Sequence, residues 1–136
     1  MRQMPTPASR PAAVSWLDMR EIARLDPEPL QRLQAGLGPQ LAADLLRRTR
    51  EDLAFLLASA QQAYDRSDTG TLARFGRRIE VLALQVGMPT LRRAAANMAA
   101  SAEGGSPPAL AATAARLDRL GQGAVASLGA LRITGA

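Results

Sequence analysis

The sequence of 136 residues contains no cysteine, no histidine and no lysine. Without cysteine it forms no disulfide and no thiolate nucleophile, and without cysteine and histidine it forms no zinc site of the Cys/His type. A Ser-His-Asp triad, a histidine general base, a Schiff-base lysine and a P-loop lysine are excluded as well. Because only carboxylates, hydroxyls and arginine remain for chemistry, we expect a protein that is not an enzyme and has no cofactor or metal.

Strand-forming residues are few, since aromatic residues make up only 3% of the chain and valine, isoleucine and threonine are scarce. Alanine (28 residues) and leucine (20 residues) dominate, and all 17 basic residues are arginine. These three types are strong helix formers, so the composition predicts an all-α protein with an aliphatic core. The 17 basic and 12 acidic residues leave a modest net charge of +5.

Long apolar runs are also missing. No stretch approaching about 18 apolar residues is free of charge, so no segment is expected to span a membrane. Prolines interrupt the first residues, where a signal peptide needs a continuous apolar stretch. We therefore expect a cytoplasmic protein that does not contact a membrane.

The positions of proline and glycine divide the chain. They predict a flexible tail at 1–14, a single helical domain at 15–132 and a C-terminal tail at 133–136. Within the domain, we expect short helices at 15–25 and 27–37 and longer amphipathic helices at about 39–65, 71–86, 90–103 and 108–131. Four amphipathic helices with short connections predict an antiparallel four-helix bundle, with one or two short N-terminal helices capping one end.

Two local features of these helices are predicted from residue type and spacing. Thr69 or Thr71 is expected to cap the helix at 71–86. In the helix at 39–65, apolar residues recur at spacings of three and four and predict one buried stripe. Its members are Leu41, Leu45, Thr49, Leu53, Leu56, Ala60 and Ala63.

The helix at 71–86 has an unusual outward face. With Ile79 at the centre of the buried side and 100° per residue, two arginines and two apolar residues fall on the opposite side. The residues on or beside that face are Arg74, Arg77, Arg78, Glu80, Val81 and Leu84. An exposed apolar patch of this kind can mark a contact site. Alternatively, the short N-terminal helices cover Val81 and Leu84, or these are scattered surface residues.

The segment 76–83 reads Gly-Arg-Arg-Ile-Glu-Val-Leu-Ala, and glycine follows at position 87. It resembles the histidine-containing phosphotransfer (HPt) domains of bacterial two-component signalling, whose motif has the form A-H-x-L-K-G-S-A with a glycine ten residues after the histidine. Gly76, Ile79, Ala83 and Gly87 match the motif's framework. The resemblance spans 26–128 and implies a four-helix bundle preceded by a short helix.

The functional positions of the HPt motif are changed. Arg77 stands where the family has its phosphoaccepting histidine, Glu80 where it has a lysine, and Val81 where it has a glycine. Arginine stays protonated and cannot accept a phosphoryl group, so the chain cannot be a histidine phosphocarrier.

The resemblance then implies a pseudo-phosphotransfer protein that keeps only the docking surface. Its partner would be the receiver domain of a response regulator or a histidine kinase, which it would inhibit, sequester or scaffold. Arg77 would present a planar cation to the partner's carboxylates, and Val81 and Leu84 would supply apolar contact. Glu80 would oppose an acidic partner.

Other classes of function remain open, and the oligomeric state is not predicted. A helical adaptor or dimerisation module would need an apolar face beyond one bundle, and Leu128, Leu131 and Ile133 are candidates for it. Nucleic-acid binding is suggested by the arginine pairs but lacks an aromatic platform, so it is the less expected function. For catalysis or metal binding, Asp65 and Asp68 provide too few ligands, and Asp68 is more simply a helix cap.

Overall fold

The computed structural model describes residues 26–131, which form five α-helices and no strand. The helices are α1 (Pro27–Leu37), α2 (Pro39–Asp65), α3 (Thr69–Val86), α4 (Pro89–Gly104) and α5 (Pro107–Ala130). The predicted all-α class is thereby confirmed. The helix expected at 15–25 and the tails expected at 1–14 and 133–136 lie outside the described residues.

Proline and glycine set most of the helix ends, as the sequence predicts. Four of the helices, all except α3, begin with proline, whose missing N–H is no loss in the first turn. Asp26 caps α1 by accepting a hydrogen bond from the backbone N–H of Glu28 (3.1 Å). At the other end, α3 and α4 stop at Gly87 and Gly105, which are left-handed with φ of 76° and 79°.

The expectation that Thr69 or Thr71 caps α3 is wrong, whereas the interpretation of Asp68 as a helix cap is confirmed. Asp68 is the N-cap, because the backbone N–H of Thr71 donates to its carboxylate (3.2 Å), and Thr69 is already inside the helix. A carboxylate at this position accepts the hydrogen bond and also interacts favourably with the positive end of the helix dipole.

The four longer helices contact one another in a closed ring. Helix α2 packs on α3, α3 on α4, α4 on α5, and α5 returns to α2, whereas α1 packs mainly on α2. Within residues 26–131, no Cα atom of α2 comes within 8 Å of one in α4, and the same holds for α3 and α5, so each of these pairs faces across the core. Gly121 lies against Leu57 and Gly129 against Arg50, so α5 runs in the opposite direction to α2.

The ring encloses one aliphatic core. The largest fully buried side chains are Leu30, Leu53, Leu72, Ile79, Met88, Leu91 and Met98. Leu128 and Leu131 are buried too, so the end of α5 does not offer the free apolar face that the adaptor interpretation needs. Ile133 lies outside the described residues. Fully burying a leucine stabilises the fold by about 1.5–3 kcal/mol, so the core rests on many aliphatic contributions of this size.

The first two turns of α2 differ from the predicted stripe. Leu41 is 58% exposed and Leu45 is half-buried, whereas Ala42 and Leu46 are buried. The remaining five predicted members of the stripe are buried as expected. Alanine and leucine surround the start of α2 on nearly every side, so apolar spacing fits two rotations of the helix. In the rotation observed, Leu46 lines a cavity together with Leu128 and Leu131 at the end of α5.

The turn between α3 and α4 provides a test of how α1 docks. A Cβ on Gly87 would lie 2.6 Å from the backbone oxygen of Asp26 and 3.1 Å from Pro29, whereas a Cβ on Gly105 would meet no described atom within 4 Å. Both positions have positive φ, so alanine costs about 1–2 kcal/mol at each. Gly87→Ala should cost about 1–3 kcal/mol more than Gly105→Ala, because the added Cβ displaces α1. Urea unfolding of both variants measures the difference, and equal losses would contradict the docking of α1 at this turn.

Candidate functional site

Helix α3 is held in one rotation by its contact with α4. Gly76 faces α4 so closely that an added Cβ would lie 2.9 Å from Met98 Cε and 3.1 Å from Ala99 Cβ. Ile79 and Ala83 are buried on the same side of α3. Because three inward positions are fixed, the opposite side of α3 must point outward.

The outward side carries all six residues that the sequence singled out, hereafter the α3 surface: Arg74, Arg77, Arg78, Glu80, Val81 and Leu84. Glu80 is half-buried and the other five are exposed. Val81 is 55% exposed and Leu84 59% exposed, so helix α1 does not cover them. Cover by a helix at 15–25 lies outside the described residues.

Arg77 does not project a free cation, contrary to expectation. Its guanidinium donates to Glu80 on the same helix (3.2 Å) and to Glu103 near the end of α4 (3.0 Å). These hydrogen bonds, first that to Glu103 and then that to Glu80, raise the pKa of Arg77. The arginine therefore links α3 to α4 and balances the charge of Glu80, which reduces the repulsion that Glu80 would exert on an acidic partner.

The cations left for a partner are the two neighbouring arginines. Among the described residues, Arg74 donates only to the hydroxyl of Thr71 (3.1 Å). Arg78 has no hydrogen bond or ion pair with any residue between 26 and 131. The α3 surface thus combines two arginines that form no ion pair with a described carboxylate and two exposed apolar side chains.

Sequence reasoning missed Phe55 of α2, which is 64% exposed. Phe55 lines a groove of about 430 Å³ between α2 and α3. The other lining residues are Asp52, Leu56, Arg77, Arg78, Val81 and Leu82. The outward position of Phe55 could have been predicted from the sequence. Positions 53 and 56 face inward, and at 100° per residue position 55 points away from both, so Phe55 falls on the outer side of α2. Its place beside Val81 depends on how α2 packs against α3.

The carboxylates near the α2–α3 connection have structural roles. Asp65 accepts a hydrogen bond from the side chain of Gln61 (2.9 Å), and Asp68 caps α3. Across the part of the chain that the structure describes, no three acidic side chains are grouped so that they could hold a metal ion. None of the five helices combines the length and the apolar character that crossing a membrane requires.

Comparison of the chain with protein-family models, curated proteins and solved structures gives no match. The candidate site is therefore defined by the geometry of α3 and its neighbours.

Asp68 gives a pH test of the helix that carries the surface. Hydrogen bonds from Thr71, side chain first and then backbone, lower the pKa of Asp68 from its ordinary value of 3.8, and Arg74 and Arg66 assist. A carboxyl group whose pKa is lower in the folded state stabilises the fold at pH values above its unfolded pKa. This stabilisation is lost as the pH falls through the pKa of the folded state.

Asp68→Asn keeps the capping oxygen but does not titrate. Wild type should therefore lose more stability than Asp68→Asn when thermal unfolding is followed from about pH 5 to about pH 2.5. Parallel stability curves for the two proteins would show that Asp68 is not ionised as a cap.

Proposed function

We propose that this chain is a non-catalytic HPt-like protein of a two-component phosphorelay in the cytoplasm. In this proposal, α2–α5 are an antiparallel four-helix bundle capped by α1. The protein docks a receiver domain or a histidine kinase through the α3 surface and inhibits, sequesters or scaffolds it without carrying phosphate.

The observation that carries the proposal is the orientation of α3. The positions that match the HPt framework, Gly76, Ile79 and Ala83, face the interior, while Arg77 and Val81 face outward. The closed ring of contacts among α2–α5, with connections of only two or three residues, supports the bundle.

Docking would use apolar contact and charge together. Val81 and Leu84 offer apolar area, and Arg74 and Arg78 offer charge to an acidic pocket. Arg77 contributes indirectly, by positioning the surface: it forms one ion pair with Glu80 and another with Glu103, which joins α3 to α4. With no imidazole in the chain, a docked partner would retain its phosphoryl group.

A binding titration tests the proposal, with receiver domains and kinase dimerisation domains of the source organism as partners. One partner should bind with micromolar affinity, and Leu84→Asp should weaken binding by about tenfold or more, because it puts a charge into the apolar contact. Arg78→Ala should weaken it mainly at low salt, since it removes electrostatic attraction.

The matched control is Ala115→Asp, which adds the same charge to an exposed position of α5, a helix whose backbone does not approach that of α3. Its affinity should equal that of wild type. Phosphorylated receiver should transfer no label to this chain. Absence of binding across the panel, or equal loss in Leu84→Asp and Ala115→Asp, would overturn the proposal.

A further inference from the structure

The groove between α2 and α3 contains two opposite charges that do not pair with each other. Asp52 and Arg78 both line it, yet no ion pair joins them, and neither has a hydrogen bond or ion pair with another residue of the range 26–131. The i, i+4 neighbour Arg48 does not engage Asp52 either. Two exposed charges of opposite sign therefore flank the apolar side chains Phe55 and Val81.

These four side chains form a diagonal pattern. Helices α2 and α3 are joined by three residues and run in opposite directions, so residues equally distant from the connection face each other. Asp52 and Val81 then lie at one level, and Phe55 and Arg78 about one turn nearer the connection. The two charges occupy one diagonal of the groove, and the two apolar residues occupy the other.

Such a pattern is complementary to itself. A two-fold axis along the line from Phe55 to Val81 places each apolar side chain against its own copy. The same rotation carries Asp52 of each protomer to the side of the axis where Arg78 of its partner lies, and the long arginine side chain can reach the carboxylate, which makes two ion pairs. Both charges, which have no ion pair within residues 26–131, would be satisfied, and the exposed parts of Phe55 (64%) and Val81 (55%) would be covered.

We propose that two copies of this chain associate through the α2–α3 groove about this two-fold axis. The dimer covers Val81 and Arg78 of the α3 surface, so self-association and the docking of another partner exclude each other. The proposal goes beyond the docking function, because the dimer depends on Asp52 and Phe55 and forms whether or not a signalling partner exists.

The interface is small. Helix α3 of 18 residues is about 27 Å long, and two helices limit the width of the contact. We therefore expect reversible association through an interface of about 800 Å² or less per partner. Sedimentation velocity between about 1 µM and about 300 µM covers the dissociation constants expected for such an interface.

Charge reversal gives a direct test with the whole chain. D52R places two cations together at each contact, and R78D places two anions together, so each variant should associate at least about tenfold more weakly than wild type. An equimolar mixture of D52R and R78D has opposite charges at both contacts. The mixture should form a heterodimer with an affinity within about threefold of wild type, and the double variant D52R/R78D should likewise recover.

Matched controls reverse charges outside the groove. Glu51→Arg changes an exposed acid beside Asp52 on α2, and Arg116→Asp changes an exposed base on α5. Both should associate as wild type does, and circular dichroism should show the same helicity in every variant.

Three results would overturn the proposal. One is a wild-type chain that stays monomeric over the whole concentration range. Another is a dimer that D52R and R78D leave unchanged. The last is a mixture of the two variants that associates no better than either alone.

Discussion

The close approach of α3 and α4 at Gly76 is the contact on which the outward surface depends. An added Cβ at position 76 would lie 2.9 Å from the flexible end of Met98 and 3.1 Å from Ala99 Cβ, so a side chain here would require α4 or its side chains to readjust. The contact fixes both the distance and the rotation of α3. Because Gly76 must face inward, Arg77 and Val81 must face outward.

A second link, made by charge, joins the same pair of helices. Arg77 binds Glu80 and Glu103 at the surface, above the apolar contact of Gly76. Its side chain therefore joins α3 to α4 through an exposed ion pair and also balances the charge of Glu80. Under the proposed function, an arginine at this position would support docking, and it excludes phosphoryl transfer through this residue, since guanidinium is not a nucleophile at working pH.

Sequence patterns predicted the helices well because proline, glycine and aspartate act locally. Pro39 and Gly87, for example, set helix ends through the missing N–H and the positive φ, whatever the rest of the chain does. The rotation of the first turns of α2 was not predicted, because Leu41 and Ala42 are both apolar and hydrophobicity alone does not decide which of them faces the core. The pairing of Arg77 with Glu103 could not be predicted either, because it joins residues 26 positions apart and depends on how α3 and α4 pack. Likewise, the place of Phe55 beside Val81 follows from tertiary packing, although helical spacing already puts Phe55 on the outer side of α2.

The most direct test of the central claim, that the α3 surface is a docking surface, is a two-dimensional NMR titration. The isotope-labelled chain would be titrated with the receiver or kinase domain that binds it most tightly, at a concentration where the chain is monomeric. We expect the largest shift changes at the amides of Arg74, Arg78, Val81 and Leu84, with smaller changes at α4 around Glu103 and none on the outer side of α5. Changes centred on α5, or none at saturation, would contradict the assignment of α3 as the docking surface.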